Sequence, residues 1–441
     1  MYISHRIVIL LIAGIPVSLL WDRPLTAALV SAITSAAVGL TAFTVGAEES
    51  RHLRRVFFPL VIVLTIPALW ILIQAISFPA SHLAHPIWSS AAAALNDPAL
   101  GRISIDPGAT VVAWVRYSCV VGIIFASAAV TIDRRRAEMV LFWLTGVTTT
   151  VAAMLIFDDS GAANVIATDF GIRELGTLAA APTSLSLMSS ISIVGTTVAL
   201  AAAIHALERY ETRRSTAEMT FGKFLLRFAA CLGALAICWF AISSREPQIF
   251  AAACGTATLV IIEVIRRLGT GRVASAAIAL AAIAIAVTVA AVQPTDRSEL
   301  VLRFAASAPP SILAMTSQMI SDTHWTGSGA GTFSALASIY RDIDDPDAPQ
   351  APTTAAAIVV ELGQPALSLS IIAIVASTAL LVAGALRRGR DSFYPAAGAA
   401  CIIALMVEAF TDAALLSTAV QIVVAVVVGL GLAHSKSRTV S

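Results

Sequence analysis

SDTHWTGSGAGTFSALASIYRDIDDPDAPQAPTTAAAIVVELGQP, residues 321–365, is the largest polar interruption in a chain otherwise built of apolar runs. It opens on three spaced glycines and an aromatic: Gly327, Gly329, Gly331 and Phe333. An acidic, proline-containing segment follows. The stretch closes on Glu361 and a Gly363-Gln364-Pro365 break. What flanks it decides the fold. Of the whole chain, 58% is hydrophobic and only 12% charged, with a mean hydropathy of +0.86. A soluble domain is about 25% charged, so these residues cannot cover a globular surface. Spanning hydrocarbon takes about 20 apolar residues per helix, and buried backbone there must satisfy itself as helices or a closed barrel. The runs are continuous in Ala, Leu, Ile and Val and do not alternate, which selects helices.

The reading is an all-α polytopic membrane protein of about twelve transmembrane helices. The expected spans are 7–21, 25–46, 56–78, 109–131, 139–157, 183–206, 224–242, 248–265, 273–292, 354–386, 394–410 and 413–433. Residues 1–292 carry the first nine, 293–353 form a large outward loop with short helices, 354–434 carry the last three, and 435–441 form a tail. The first run lacks an Ala-x-Ala cleavage pattern and reads as a retained helix.

Basic residues orient the spans. Only eight of the 28 Lys and Arg fall on the side of residues 321–365: Arg23, Arg102, Arg116, Arg173, Arg245, Arg297, Arg303 and Arg341. The positive-inside rule places the rest, and both termini, in the cytoplasm. The glycine-rich segment then faces the periplasm across a cell inner membrane. Three longer connections share its side, at 79–108, 158–182 and 293–353, and Asp106-Pro107-Gly108 in the first is a turn leading into a helix. A net charge of +1 suggests no nucleic-acid partner. The five cysteines, Cys119, Cys231, Cys238, Cys254 and Cys401, lie in apolar runs without CxxC spacing. No HExxH, HxxxH or paired-carboxylate metal spacing is present, so neither metal nor cofactor is expected.

Four outward arginines suit an oxyanion: Arg116 (AWVRYS), about two turns inside its span, Arg245 (ISSREP) in a tight turn, and Arg173 and Arg303 in long connections. A planar guanidinium binds phosphate bidentately. The same side chains also suit snorkelling to lipid headgroups. Proton-transfer candidates are Glu361, Glu408 with Asp412 one turn on, His324, and His82 with His85. Glu361 ranks first because it stands beside the chain break. GSGAGTF lacks the Lys-Ser/Thr of a P-loop, and its glycines suit tight turning and close helix approach.

Several of these pieces together resemble the bacterial O-antigen ligase and polysaccharide polymerase family. They are Gln74 with Ile76–Pro79, ISIDPGAT, RELGTLAAAPTS, Ser244-Arg245, the Gly327–Phe333 box, Glu361-x-Gly363 and EAFTDAALL with Asp412. The resemblance implies a fold like the integral-membrane glycosyltransferases. It implies glycan transfer from an undecaprenyl-diphosphate-linked saccharide to a glycan acceptor, with other polysaccharide-assembly proteins as partners. Arg245, Arg173, Arg303 and Arg116 would hold the diphosphate. Glu361, His324 and Asp412 would serve the chemistry, beside the loop of Gly327, Gly329, Gly331 and Phe333. The chain departs from the family where Pro352-Thr353 replaces a His-Asn pair and Glu408 a histidine. Two alternatives accompany this reading: a transporter of an anionic or lipid-linked substrate, and a catalytically inactive accessory subunit of polysaccharide assembly.

Overall fold

The computed structural model describes residues 2–20, 24–78, 83–96, 101–160, 182–213, 221–268, 301–305, 308–341, 350–387 and 391–436. Arg173, His82 and the expected 273–292 span lie outside the described residues. The first helices are α1 (Tyr2–Ala13), α2 (Ile15–Leu20), α3 (Pro24–Thr44), α4 (Ala47–Ala75) and α5 (Ile87–Leu95). Next come α6 (Pro107–Val130), α7 (Arg134–Asp159), α8 (Pro182–Arg213), α9 (Phe221–Ile242) and α10 (Glu246–Leu268). Short α11 (Pro310–Asp322), α12 (Phe333–Tyr340) and α13 (Thr354–Leu362) precede α14 (Gln364–Arg387), α15 (Phe393–Glu408) and α16 (Thr418–Ala433). Two short strands, β1 (Ser77–Phe78) and β2 (Gly101–Arg102), pair antiparallel and close the first long connection.

Seven of the described helices are long and apolar enough to cross a membrane: α4, α6, α7, α8, α9, α10 and α14. They fit a multi-pass protein in a lipid bilayer. α1, residues Ala28–Thr44 of α3, α15 and α16 are apolar but shorter. At about 1.5 Å per residue, the 16 residues of α15 or α16 fall short of about 30 Å of hydrocarbon. The apolar run expected as one span from 354 is two helices, because Gly363 at φ 90° ends α13.

Local chemistry sets the helix starts. Asp106 accepts from the Ala109 amide at 3.1 Å, with Pro107 in the first turn of α6. Asp133 accepts from Arg135 N at 3.0 Å and Thr353 from Ala356 N at 3.0 Å. Each short polar side chain satisfies an amide that the helix cannot. Thr353, at the place of the resembled family's His-Asn pair, is therefore a helix cap.

α8 is the axis of the bundle. The central window of this helix is 83% buried, against 17% for α4 and α6 at the periphery. The main core joins α1, α2, α6, α7, α8, α9, α15 and α16 through Ile12, Leu144, Ile191, Val194, Tyr394 and Val423. A second core lies at one end, where α11, α12 and α13 pack Met319, Phe333, Leu336, Val359 and Val360 together as a cap. The opposite end holds most of the cations among the described residues and is called the basic end below.

Close backbone approach fixes one helix pair. A Cβ on Gly429 of α16 would strike Ser127 Oγ and stand 2.6 Å from Ile124 O of α6. Overfilling such a contact costs about 1–3 kcal/mol. In α3, a Cβ on Gly39 would meet nothing within 4 Å, and alanine is the better helix former by about 1 kcal/mol. Gly429→Ala is therefore expected to lower the melting temperature in detergent, and Gly39→Ala to leave it unchanged or raise it. A Gly429→Ala protein as stable as wild type would refute the close crossing.

Candidate functional site

Between α11 and α12 the chain turns through three glycines with positive φ: Gly327 at 79°, Gly329 at 111° and Gly331 at 77°. A side chain would be strained at each. A Cβ at 327 would also strike the Glu361 carbonyl, and one at 329 the Ser104 hydroxyl. The glycines bring backbone against backbone. Ser328 N donates to Val360 O and Gly329 N to Glu361 O, both at 2.9 Å, while Ile105 N donates to Ser328 O at 2.9 Å.

Gln74, fully buried at the end of α4, holds this crossing together. Its Nε2 donates to Thr326 O at 2.9 Å and Glu361 O at 3.0 Å, and its Oε1 accepts from Ala330 N at 3.1 Å. Trp70, one turn earlier, donates Nε1–H to Leu362 O at 3.0 Å. Ser104 N donates to Gln74 O at 3.1 Å. Gln74 was not among the expected site residues. Its signal is a lone amide in the apolar run WILIQAIS.

The Glu361 carboxylate points into the glycine turn. Gly331 N donates to Oε2 at 2.8 Å and Phe333 N to Oε1 at 3.1 Å. Phe333 begins α12, so the carboxylate also caps a helix N-terminus, where negative charge is favoured. Burial pushes the Glu361 proton affinity above the ordinary glutamate value; the two amides and then the Arg116 charge pull it back down. Burial is the largest effect and wins. The half-buried carboxylate keeps lone pairs beyond those two bonds, so it can accept a further proton.

Arg116 is placed by α6. A Cβ on Gly331 would stand 3.1 Å from Ala109 O and 3.4 Å from Ala113 Cβ. Arg116 lies one turn beyond Ala113, on the same face. Its side chain is exposed and makes no hydrogen bond or ion pair among the described residues. An arginine at a span centre costs about 2.5–3.5 kcal/mol. Arg116 also lines a crevice of only about 20 Å³, room for roughly one water.

The other expected residues sort differently. Arg245 is bound bidentately by Asp159 at the end of α7, with Nη1–Oδ2 at 3.1 Å and Nη2–Oδ1 at 2.9 Å. Its Nη1 also donates to Ala241 O at 3.2 Å. No hydrogen bond or ion pair among the described residues joins it to Glu361 or the glycine turn. Arg303 is exposed near the cap core, two residues beyond buried Val301. His324 stands at the mouth of the turn, Nδ1 3.1 Å from Thr326 Oγ1. Burial, and then the charge of His324, lower the proton affinity of His85, which brings the two imidazoles into one neighbourhood. Asp412 is a tie. Its Oδ1 accepts from Ser186 Oγ at 2.6 Å and Ala414 N at 3.0 Å, and its carbonyl receives Thr354 N at 2.9 Å. Thr354 begins α13, seven residues or about 10 Å from Glu361. Glu408 is fully buried, with Oε1 receiving the Ser190 hydroxyl and Oε2 without a hydrogen-bond partner among the described residues.

Replacing Gln74 with alanine strands the buried Ala330 amide and the Thr326 carbonyl, at about 1–3 kcal/mol for each unmet group, and leaves Glu361 O only the Gly329 amide. Amide hydrogen exchange across residues 326–333 and 357–363 is expected to quicken in Gln74→Ala, while α7 and α9 stay protected. Unchanged protection at the glycine turn would contradict the role given to this amide.

No family model matches the chain, and no curated protein matches it.

Proposed function

We propose that the protein transfers a glycan from an undecaprenyl-diphosphate-linked donor to a saccharide acceptor at the periplasmic face of the cell inner membrane, as an O-antigen or exopolysaccharide polymerase or ligase. The cap end is then the periplasmic end, and both termini are cytoplasmic. The observation that supports the reading is the pairing of Glu361, aimed by two backbone amides, with the exposed guanidinium of Arg116 below it. A lipid-borne diphosphate reaches such a cation from the bilayer, while a polar acceptor arrives from the aqueous side.

The chemistry follows from that division. The acceptor hydroxyl oxygen bonds to the donor anomeric carbon as the bond from that carbon to the diphosphate oxygen breaks. Glu361 takes the hydroxyl proton, and Arg116 stabilises the charge on the departing undecaprenyl diphosphate. Burial that raises the Glu361 proton affinity makes it a stronger base than a free glutamate. His324, at the mouth of the turn, orients the acceptor. Arg303 and Arg173 extend the diphosphate contact. Arg245 joins them only if it leaves Asp159, so Arg116 takes the first place.

In membranes supplied with a lipid-linked oligosaccharide, Arg116→Ala and Glu361→Gln are each expected to cut chain extension by about 100-fold or more. The acid limb of the wild-type rate profile is expected above the ordinary glutamate range of about 4.3, because the base must be unprotonated and burial raises its proton affinity. That limb should vanish in Glu361→Gln. Full extension by Arg116→Ala would sink the proposal.

One observation favours the transport reading. Glu408 is an ionisable group buried wholly inside the bundle, and such groups mark proton and substrate paths. Uptake of an anionic saccharide into proteoliposomes without covalent change, lost in Glu408→Gln, would select it.

A further inference from the structure

Three central helices close on one another at Gly255 of α10. A Cβ there would stand 2.9 Å from Thr197 Cγ2 of α8 and 2.9 Å from Ala404 Cβ of α15. On the cap side of this contact Ile193, Ala251, Ala252 and Ala404 form an apolar layer, joined by Ile242 of α9 and with Val407 packed against it. One further turn in the same direction reaches Ser190 on α8, Gln248 on α10 and Glu408 on α15. Each lies three or four residues from a member of the apolar layer, a spacing that keeps a helical residue on one face. The three helices therefore turn a hydroxyl, a carboxamide and a carboxyl toward the same joint. Glu408 and Ser190 are fully buried there, and Gln248 is 9% exposed.

Ser190 donates its hydroxyl to Glu408 Oε1 across α8 and α15. Two other oxygens of the joint, Glu408 Oε2 and Gln248 Oε1, have no hydrogen-bond partner among the described residues. Both are acceptors, so what satisfies them must be electropositive. The charges around the joint do not supply it. Asp412, one turn beyond Glu408, adds a second negative charge and is itself held by Ser186 and the Ala414 amide. Arg245, one turn before Gln248, is bound bidentately by Asp159, and Glu246 is exposed. A water molecule would hydrogen-bond both oxygens but leave the carboxylate charge uncompensated, which is costly inside a bundle.

We propose that Glu408, Gln248 and Ser190 bind one monovalent cation, Na+, through Glu408 Oε2, Gln248 Oε1 and the Ser190 hydroxyl oxygen. Carboxylate, carbonyl and hydroxyl oxygens are hard donors that suit such an ion. The single carboxylate of the joint matches a single positive charge, where a divalent ion would leave an excess. The donors come from three separate helices, which no local spacing in the sequence displays. Na+ there ties α8 to α10 and α15 at the level where the bundle meets the cap. The site is separate from Arg116 and Glu361 and stands whether the chain is a transferase or a transporter.

The test is binding of radioactive Na+ to the purified full-length protein in mild detergent, with choline as the replacement salt. Wild type is expected to bind one ion per chain and to melt about 2 °C or more higher in Na+ than in choline. Glu408→Gln keeps the shape of the side chain and removes its charge, and Gln248→Leu removes the amide oxygen. Each should weaken Na+ binding by about tenfold or more and abolish the melting shift. Ser190→Ala should weaken it by about threefold or more. Glu246→Gln, an exposed carboxylate on the same helix as Gln248, should leave it unchanged. A cooperative melt in choline identifies the folded variants. If Glu408→Gln does not fold, Gln248→Leu and Ser190→Ala decide. Wild type that binds no Na+, the result expected if a proton alone neutralises Glu408, would overturn the proposal. So would Na+ binding of unchanged affinity in folded Glu408→Gln or Gln248→Leu.

Discussion

The cap end of the molecule depends on one ionic hydrogen-bonded contact: the Glu361 carboxylate received by the amides of Gly331 and Phe333. Around it the backbone of one segment lies against that of another, which is possible only because glycines occupy the crossing. The contact has two consequences. It fixes the end of α13 to the start of α12, at the crossing that Gln74 and Ile105 tie to α4 and the approach to α6, and it leaves a carboxylate of defined orientation near the Arg116 charge. A buried carboxylate would ordinarily be costly. Here two amide donors offset part of that cost, and the remainder is what raises its affinity for a proton.

The two ends of the bundle manage charge differently. At the basic end, Glu138 and Asp391 hold arginines from neighbouring helices and Glu263 holds Arg266 within α10, so these positive charges are structural. At the cap end Arg245 is neutralised by Asp159, while Arg116 has no ion pair among the described residues. Among the expected oxyanion ligands within the described residues, Arg116 thus stands on an exposed helix flank without an ion pair.

Much of this was legible in the sequence, and the rest has physical reasons for being hidden. Long apolar runs placed α6, α9 and α10 within about three residues at each end, while α7 starts five residues earlier and α8 ends seven residues later than expected, since hydrophobic length is a local property but helices run on into polar ends. The turn at Asp106-Pro107-Gly108 was equally local. The break at Gly363 was visible as ELGQP, yet the run from 354 read as one span because Thr354–Leu362 is as apolar as a membrane helix. Its apolar side packs instead into the cap core. The glycine box and Glu361 were singled out separately, but their union depends on contacts about 30 residues apart. Arg245 looked like a free cation because Asp159 lies 86 residues away. Gln74 entered only as part of a motif at the end of a span and not as a site residue, because its three partners come from other segments.

In the proposed transfer, Arg116 and Glu361 flank one anion site open to the bilayer. A structure of the protein in lipid nanodiscs with undecaprenyl diphosphate tests it most directly. The diphosphate should lie within hydrogen-bonding reach of Arg116, with Glu361 still held by Gly331 and Phe333. A diphosphate bound instead by an Arg245 released from Asp159, with Arg116 untouched, would contradict the account.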